Sequence, residues 1–124
     1  MILVIGGAYQ GKLSYVLDNY AQKTVYHCDI ETPAIDLSAD IINALHLLIL
    51  AQLRAGIDPL VYLRERLPEL KEKVLICDDI TCGVVPVDYE ARLWRETTGR
   101  GLVMLSKNSD EVIRVFCGIG SRLK

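Results

Sequence analysis

The sequence lacks the features that mark nucleic-acid-binding and membrane proteins. Its 14 basic and 16 acidic residues nearly cancel, and the formal net charge of −2 indicates no broad basic surface. The most apolar stretch, residues 41–53, is interrupted by Asn43, His46 and Gln52, so it is too short and too polar to span a bilayer. We therefore expect no nucleic acid and no membrane among the partners of this protein.

Targeting and zinc-binding signals are also missing. The apolar start, residues 1–5, is brief and has no basic flank, so we expect no signal peptide. The cysteines include no Cys-x-x-Cys pair, and no second Cys/His cluster completes a zinc set. Cys28, Cys77 and Cys117 each end an apolar run, which is typical of small apolar residues in a reducing compartment. We expect a cytoplasmic protein.

No internal repeat, low-complexity segment or interdomain linker interrupts the 124 residues. The chain is 51% hydrophobic and 24% charged, a composition typical of a packed globular protein. At this length we expect a single domain that covers residues 1–124.

A glycine-rich segment that contains a lysine follows the apolar run of residues 1–5. We call it the glycine loop, and it consists of Gly6, Gly7, Ala8, Tyr9, Gln10, Gly11, Lys12, Leu13 and Ser14. The residues after it read as a helix. An apolar strand, a glycine loop with a lysine and then a helix are the context of a phosphate-binding P-loop. We therefore expect the glycine loop to bind a nucleotide.

Each part of this loop has a physical role in binding phosphate. Successive backbone N–H groups form an anion-binding concavity, and the helix N-terminus adds partial positive charge. Gly6 and Gly11 allow a close backbone approach that a side chain would block. Lys12 would reach the terminal phosphates as a point charge, which makes it a candidate catalytic residue. Tyr9 and Gln10 are larger than the residues usual at their positions, and they either contact the nucleotide or point outward.

The match to the pattern G-x-x-x-x-G-K-[ST] is incomplete. Leu13 stands where Ser or Thr normally holds Mg²⁺, and Ser14 comes one residue late. On a helix, that shift turns the hydroxyl by roughly 100° from the expected direction. The loop can therefore bind a nucleotide even if it does not bind Mg²⁺ well enough for catalysis, and these two properties need separate tests.

Apolar runs that alternate with helical patterns define the expected fold. Strands are predicted at residues 2–5, 24–28, 74–77 and 111–117. Helices are predicted at residues 11–22, from 36 or 38 to about 55, from 59 onward and at 89–107. This order predicts an α/β domain with a mainly parallel sheet, and with the glycine loop we expect a P-loop NTPase-like three-layer fold.

The long helix predicted to end before Gly56 bears on assembly. It is apolar nearly all round over residues 41–53, and so small a chain is not expected to enclose such a helix. We therefore expect a homo-oligomer. Asp58 and Pro59 open the next helix, which Pro68 is expected to kink or to end early.

Two acids follow the strand predicted at residues 74–77. Ligands of parallel α/β sheets lie at the carboxyl ends of the strands, so Asp78, Asp79 and the glycine loop can face one pocket. We expect Asp79 to be the catalytic acid that helps Mg²⁺ or positions the attacking hydroxyl, with Asp78 as the second candidate for the metal. The alternative is a solvated turn, in which such acids are common.

Other charged residues leave two interpretations each. His27, at the end of a predicted strand, is a general base or only a hydrogen-bonded residue. Arg92, Arg95 and Arg100 neutralise phosphate charge or form surface ion pairs.

The segment Val-Leu-Ile-Cys-Asp-Asp-Ile-Thr-Cys-Gly-Val-Val-Pro at residues 74–86 is similar to the strand and loop V-x-N-E-V-G-x-G-I-V-P of a known family. The likeness continues through residues 91–92, 95, 99–100 and 110–112 and the ending Gly-Ile-Gly-Ser-Arg-Leu-Lys at 118–124. The family start, G-G-A-x-S-G-K-S, matches residues 6–8 and 11–12. Over residues 1–28 and 74–124 the chain thus resembles the adenosylcobinamide kinase / adenosylcobinamide-phosphate guanylyltransferase family.

This resemblance implies a function in corrinoid salvage and cobalamin biosynthesis. Enzymes of that family phosphorylate the aminopropanol hydroxyl of adenosylcobinamide and then transfer GMP through a guanylylated histidine. They are P-loop α/β proteins and are generally oligomeric. The implied cofactor is Mg²⁺ with ATP or GTP, and the implied partner is adenosylcobinamide or another corrinoid.

The chain departs from the family in three ways. The His-rich segment that carries the guanylylated histidine is absent, and neither His27 nor His46 stands in such a motif, so the guanylyltransferase activity is expected to be lost. The serine after the loop lysine is Leu13, and the Asn-Glu pair is Asp78-Asp79. The middle of the chain is also shorter.

Two hypotheses follow. The first is a kinase that acts on a corrinoid hydroxyl, with Lys12 and Asp79 as its catalytic residues. The second is a non-catalytic nucleotide-binding module that regulates or partners a full-length enzyme. Leu13 and the missing histidine segment favour the module, whereas the Gly-Lys loop, Asp79 and the segment at residues 83–86 favour the kinase.

Overall fold

The computed structural model describes residues 1–81, 83 and 86–124. Cys82, Val84 and Val85 lie outside the described residues, so the predicted family segment at 83–86 is described only in part. The described strands are β1 (Ile2–Gly6), β2 (Val25–His27), β3 (Ile41–Asn43), β4 (Val74–Asp78), β5 (Glu111–Phe116) and β6 (Ile119–Arg122). The described helices are α1 (Lys12–Asn19), α2 (Leu45–Arg54), α3 (Pro59–Leu70) and α4 (Tyr89–Asn108).

The described strands form one sheet in the order β2-β3-β4-β1-β5-β6. Every pairing is parallel except that of β5 with β6, which is antiparallel. The predicted α/β class with a mainly parallel sheet is therefore confirmed. In the register of β1 with β4, Gly6 lies opposite Asp78, which brings the start of the glycine loop and the first acid to one edge of the sheet.

Helices cover both faces of this sheet. On one face, Val4 and Ile76 pack against Val16 of α1. On the other face, strand residues pack against the apolar side chains of α2, α3 and α4 in a cluster that includes Leu3, Leu75, Leu48, Leu63 and Leu105. Because successive strand residues point to opposite faces, the nearly continuous apolar runs of β1 and β4 fill both clusters.

The helix predicted from residue 36 or 38 to 55 is wrong in its first part. Residues 41–43 form β3, and the helix begins only at Leu45. A short apolar run does not by itself distinguish a strand from a helix, and Ile41 and Ile42 are β-branched residues that suit a strand. Asp36 caps no helix; its carboxylate accepts hydrogen bonds from the backbone N–H and the hydroxyl of Ser38.

The chain itself encloses α2. Leu45, Leu48 and Ile49 are fully buried, and the helix packs against β4, α3 and α4. The expectation that so apolar a helix needs a second subunit was therefore wrong, because Ile41 and Ile42 belong to the sheet core instead. The homo-oligomer stays a prediction, now supported by the family resemblance alone.

Smaller differences concern the ends of elements. α1 ends at Asn19 rather than at residue 22, and α3 continues past Pro68 to Leu70, so this proline does not end the helix. Residues 119–122, predicted as part of a turn and the closing segment, form β6 in a hairpin with β5. Asp58 and Asp88 cap α3 and α4 as predicted. Among the described residues, no helix combines the length and the apolar character needed to cross a membrane.

Candidate functional site

The glycine loop connects β1 to α1 at the carboxyl edge of the sheet. Gly11 has φ of 85° and lies at the cap of α1, so Lys12 is the first residue of that helix. The first N–H groups of a helix have no acceptor within it, and they carry the positive end of its dipole. The connection therefore offers hydrogen-bond donors and partial positive charge to an anion.

Lys12 lies inside this loop. Its side chain is only 7% exposed, and its ammonium nitrogen Nζ lies 2.6 Å from the carbonyl oxygen of Gly7. The same nitrogen lies 2.6 Å from Oδ1 of Asp78 at the end of β4. The lysine thus joins the glycine loop to the neighbouring strand through two short charge-assisted contacts.

Asp78 also contacts a histidine in the first turn of α2. Nε2 of His46 lies 3.5 Å from Oδ2 of Asp78. The backbone N–H of Asp78 donates to Nδ1 of His46 at 3.1 Å. An Nδ1 that accepts a hydrogen bond leaves the ring proton of the neutral imidazole on Nε2, which faces the carboxylate.

The surroundings of His46 favour its neutral form. The residue is 8% exposed, and burial lowers the pKa of its imidazole; Asp78 opposes this shift and Lys12 acts in the same direction as burial. The indole N–H of Trp94 donates to the His46 carbonyl at 2.7 Å, and the two rings stack with centroids 6.2 Å apart. Burial also raises the pKa of the neighbouring Cys77 thiol, so this cysteine stays protonated.

A cleft of about 380 Å³ opens over these groups. The glycine loop and the start of α1 form one wall, and the connection from β3 to α2 forms the other. Its lining residues are Ala8, Tyr9, Gln10, Gly11, Lys12, Leu13, Ser14, Asn43, Ala44, His46 and Asp78. The only charged side chains among these described lining residues are those of Lys12 and Asp78.

The structure brings Asp78, rather than Asp79, next to Lys12. Successive residues at the end of a strand point to opposite sides, so the two acids diverge. Asp79 lines a separate hollow of about 180 Å³ together with Gly6 and Gly7. Its Oδ1 accepts hydrogen bonds from the backbone N–H and the hydroxyl of Thr81, as in the turn that was the alternative interpretation.

The metal-binding capacity of the cleft is small. Leu13 packs against the apolar cluster under α1, and the exposed Ser14 lines the cleft. Among the described residues, no group of three or more His, Cys, Asp or Glu side chains could hold a metal ion. One carboxylate, that of Asp78, fits a Mg²⁺ carried by phosphates, because such ions are commonly bound by one or two carboxylates and retain water.

The two large side chains of the glycine loop point in different directions. Tyr9 is fully exposed and has φ of 59°. Gln10 turns toward the β5–β6 hairpin: its Oε1 accepts from the N–H of Cys117 at 2.7 Å, and its carbonyl accepts from the N–H of Gly118 at 2.8 Å. The hairpin therefore supports the loop from behind, a contact that the sequence did not reveal.

The remaining charged candidates have other contacts in the structure. The ring of exposed His27 pairs with the amide of Asn43 at 3.0 Å, which agrees with the hydrogen-bonded interpretation. Arg95 donates to the carbonyl oxygens of Thr81 and Gly83. Arg100 pairs with Glu96 at 2.5 Å, and Arg92 lines a different hollow on α4. The described residues that line the cleft include no arginine.

His46 is the site residue that sequence reasoning missed. The sequence pattern predicts it in the middle of an apolar helix that begins before residue 41, where a histidine has no evident partner. In the structure it lies in the first turn of α2, at the same edge of the sheet as the glycine loop. The β-branched pair Ile41-Ile42, which suits a strand that ends just before His46, is the signal that could indicate this position.

Gly6 is packed closely against the backbone of β5. A Cβ built on Gly6 would lie 2.5 Å from the backbone carbonyl oxygen of Val115, whereas one on Gly7 would meet only the Gln10 side chain at 3.6 Å. We expect Gly6→Ala to lower the free energy of unfolding by about 1–3 kcal/mol, as overpacking does. Urea unfolding measures this, with Gly7→Ala as the matched control; equal losses in both variants would contradict the prediction.

No model of a protein family matches the chain, and no curated protein matches it either.

Proposed function

We propose that this protein binds ATP or GTP through the glycine loop, which then acts as a P-loop within a P-loop NTPase-like domain. The observation that carries the proposal is the position of Lys12. A buried ammonium group at a helix N-terminus, 2.6 Å from a loop carbonyl and 2.6 Å from Asp78, is an anion site whose cation is already held in place. When a phosphate enters, its oxygens replace the Asp78 carboxylate as partners of the Lys12 ammonium.

The neighbouring groups support the same proposal. The N–H groups that open α1 face the phosphates, and Lys12 neutralises their charge. Asp78 is the carboxylate that would hold Mg²⁺ together with the phosphates, and the hydroxyl-bearing Ser14 of α1 lines the same cleft. When bound, Mg²⁺ with a nucleotide supplies charge neutralisation for phosphoryl transfer.

We further propose that the reaction is that of an adenosylcobinamide kinase, in which a corrinoid hydroxyl accepts the phosphoryl group. The resemblance at residues 6–12, 74–86 and 118–124 supports this assignment. The walls of the cleft agree with a neutral acceptor, because the described lining residues provide no second cation for an anionic one. The guanylyltransferase activity is proposed to be lost with the histidine segment.

A second candidate is a nucleotide-binding module without turnover that regulates or partners a full-length enzyme. The observation that favours it is Leu13, whose side chain packs into the apolar cluster where a metal-binding hydroxyl is usual. Without that hydroxyl, the metal depends on Asp78 and the phosphates alone.

Calorimetric titration with ATP and GTP in the presence of Mg²⁺ tests binding, and incubation with adenosylcobinamide tests turnover. Binding together with a phosphate ester of the corrinoid supports the kinase. Binding without product supports the module. If neither nucleotide binds, the proposed site is wrong and both candidates fail.

A further inference from the structure

We propose that His46 is a positioning residue: it holds the Asp78 carboxylate in place for the Mg²⁺ of a bound nucleotide. This inference rests on the proposed function and deepens it, because it assigns a role to a side chain that neither the glycine loop nor the family motifs include.

The contacts of Asp78 carry the inference. Its Oδ1 lies 2.6 Å from the ammonium of Lys12, and its Oδ2 lies 3.5 Å from Nε2 of His46. Its backbone N–H donates to Nδ1 of the same imidazole. One ring thus bonds to the backbone of Asp78 and contacts its carboxylate, at the oxygen that Lys12 does not contact.

The imidazole is itself held firmly. It is almost fully buried in the first turn of α2, and the Trp94 ring stacks on it. The indole N–H of Trp94 also donates to the backbone carbonyl of His46. The carboxyl edge of β4 and the first turn of α2 meet at this point. A group with so little freedom can orient a carboxylate without moving itself.

The contact between His46 and Asp78 becomes important when a phosphate binds to Lys12. The ammonium of Lys12 cannot keep its full interaction with Asp78 while it also neutralises phosphate oxygens. When Lys12 turns toward a phosphate, the contact at Oδ1 weakens, and the contact of Oδ2 with His46 keeps the carboxylate directed into the cleft. Outer residues that orient metal-binding carboxylates typically change metal affinity 10- to 100-fold when they are replaced.

Two substitutions separate the contacts made by the two ring nitrogens. His46→Gln can place its amide nitrogen near the position of Nε2, so it keeps an N–H group close to Oδ2. His46→Asn can place its oxygen near Nδ1, so it can still accept from the Asp78 N–H but no longer reaches Oδ2. If His46 only supported the backbone, Asn would serve better than Gln.

The experiment measures the dissociation constant of ATP and of GTP by calorimetry, with Mg²⁺ and with a chelator. We expect His46→Asn to reduce the gain in affinity that Mg²⁺ provides by about tenfold and to leave the affinity in chelator unchanged. His46→Gln is expected to retain most of the gain. The control is Lys107→Ala, which alters an exposed side chain in the last turn of α4, next to the start of β5 and so at the sheet edge opposite to the glycine loop.

A second variant keeps the test valid if His46→Asn does not fold, which circular dichroism detects. Trp94→Phe removes the indole N–H that holds the His46 carbonyl, and it should reduce the same Mg²⁺-dependent gain by a smaller factor. An unchanged gain in His46→Asn and Trp94→Phe, or a greater loss in His46→Gln than in His46→Asn, would overturn the inference. Wild-type protein that binds neither nucleotide would instead overturn the proposed function, on which the inference depends.

Discussion

Replacing Lys12 with alanine is expected to weaken the binding of ATP and GTP by about 100-fold or more. A hydrogen bond to a charged group contributes about 1.5–3 kcal/mol, and each tenfold change in affinity corresponds to about 1.4 kcal/mol. The loss extends beyond that bond, because the Asp78 carboxylate, now 2.6 Å from the ammonium, would face the phosphates with no cation between them. Calorimetry with each nucleotide measures the change.

Lys107→Ala is the matched control for this prediction. Lys107 is an exposed lysine in the last turn of α4, which precedes the start of β5, so it lies at the edge of the sheet opposite to the glycine loop. We expect its removal to leave both affinities unchanged. Equal binding by Lys12→Ala and the wild-type protein would show that the glycine loop is not the nucleotide site.

The elements that the sequence predicted well are those with strong local signals. The runs that became β1 and β4 are apolar throughout, and α3 and α4 each begin after an aspartate that caps them. The strand β3 has no such signal. It is three residues long and joins α2 through Ala44. Ala44 has φ of 61°, a left-handed conformation that an alanine in the sequence does not predict.

One part of the candidate site was predictable from the sequence, and the other part was not. The glycine loop is contiguous in sequence, so its order of strand, glycines, lysine and helix could be recognised. The partners of Lys12 are not contiguous: Asp78 becomes its neighbour because β4 pairs with β1, and His46 joins them because β3 lies beside β4. The choice between Asp78 and Asp79 depends on the side to which each side chain points, and the acids themselves do not encode that direction.

Asp78→Asn tests that choice, and its effect is expected to change sign with Mg²⁺. In chelator, the variant should bind nucleotide about three- to tenfold more tightly, because the ammonium of Lys12 no longer has to leave a charged partner. With Mg²⁺, the gain in affinity should fall at least about tenfold, and phosphoryl transfer to a corrinoid should fall about 100-fold, because the neutral amide is a poor ligand for the metal. Calorimetry in both conditions and an assay of the phosphate ester measure these effects.

Asp79→Asn gives the comparison that decides between the two acids. Asp79 accepts hydrogen bonds from Thr81 and lines the hollow on the other side of the loop. An asparagine can still accept the Thr81 N–H, so we expect both affinities to stay within about threefold of the wild-type values, since substitutions away from a site generally have small effects. If Asp79→Asn lost the Mg²⁺-dependent gain while Asp78→Asn kept it, the metal would belong to the acid that the sequence favoured. The pairing of Asp78 with Lys12 would then serve only to hold the loop closed.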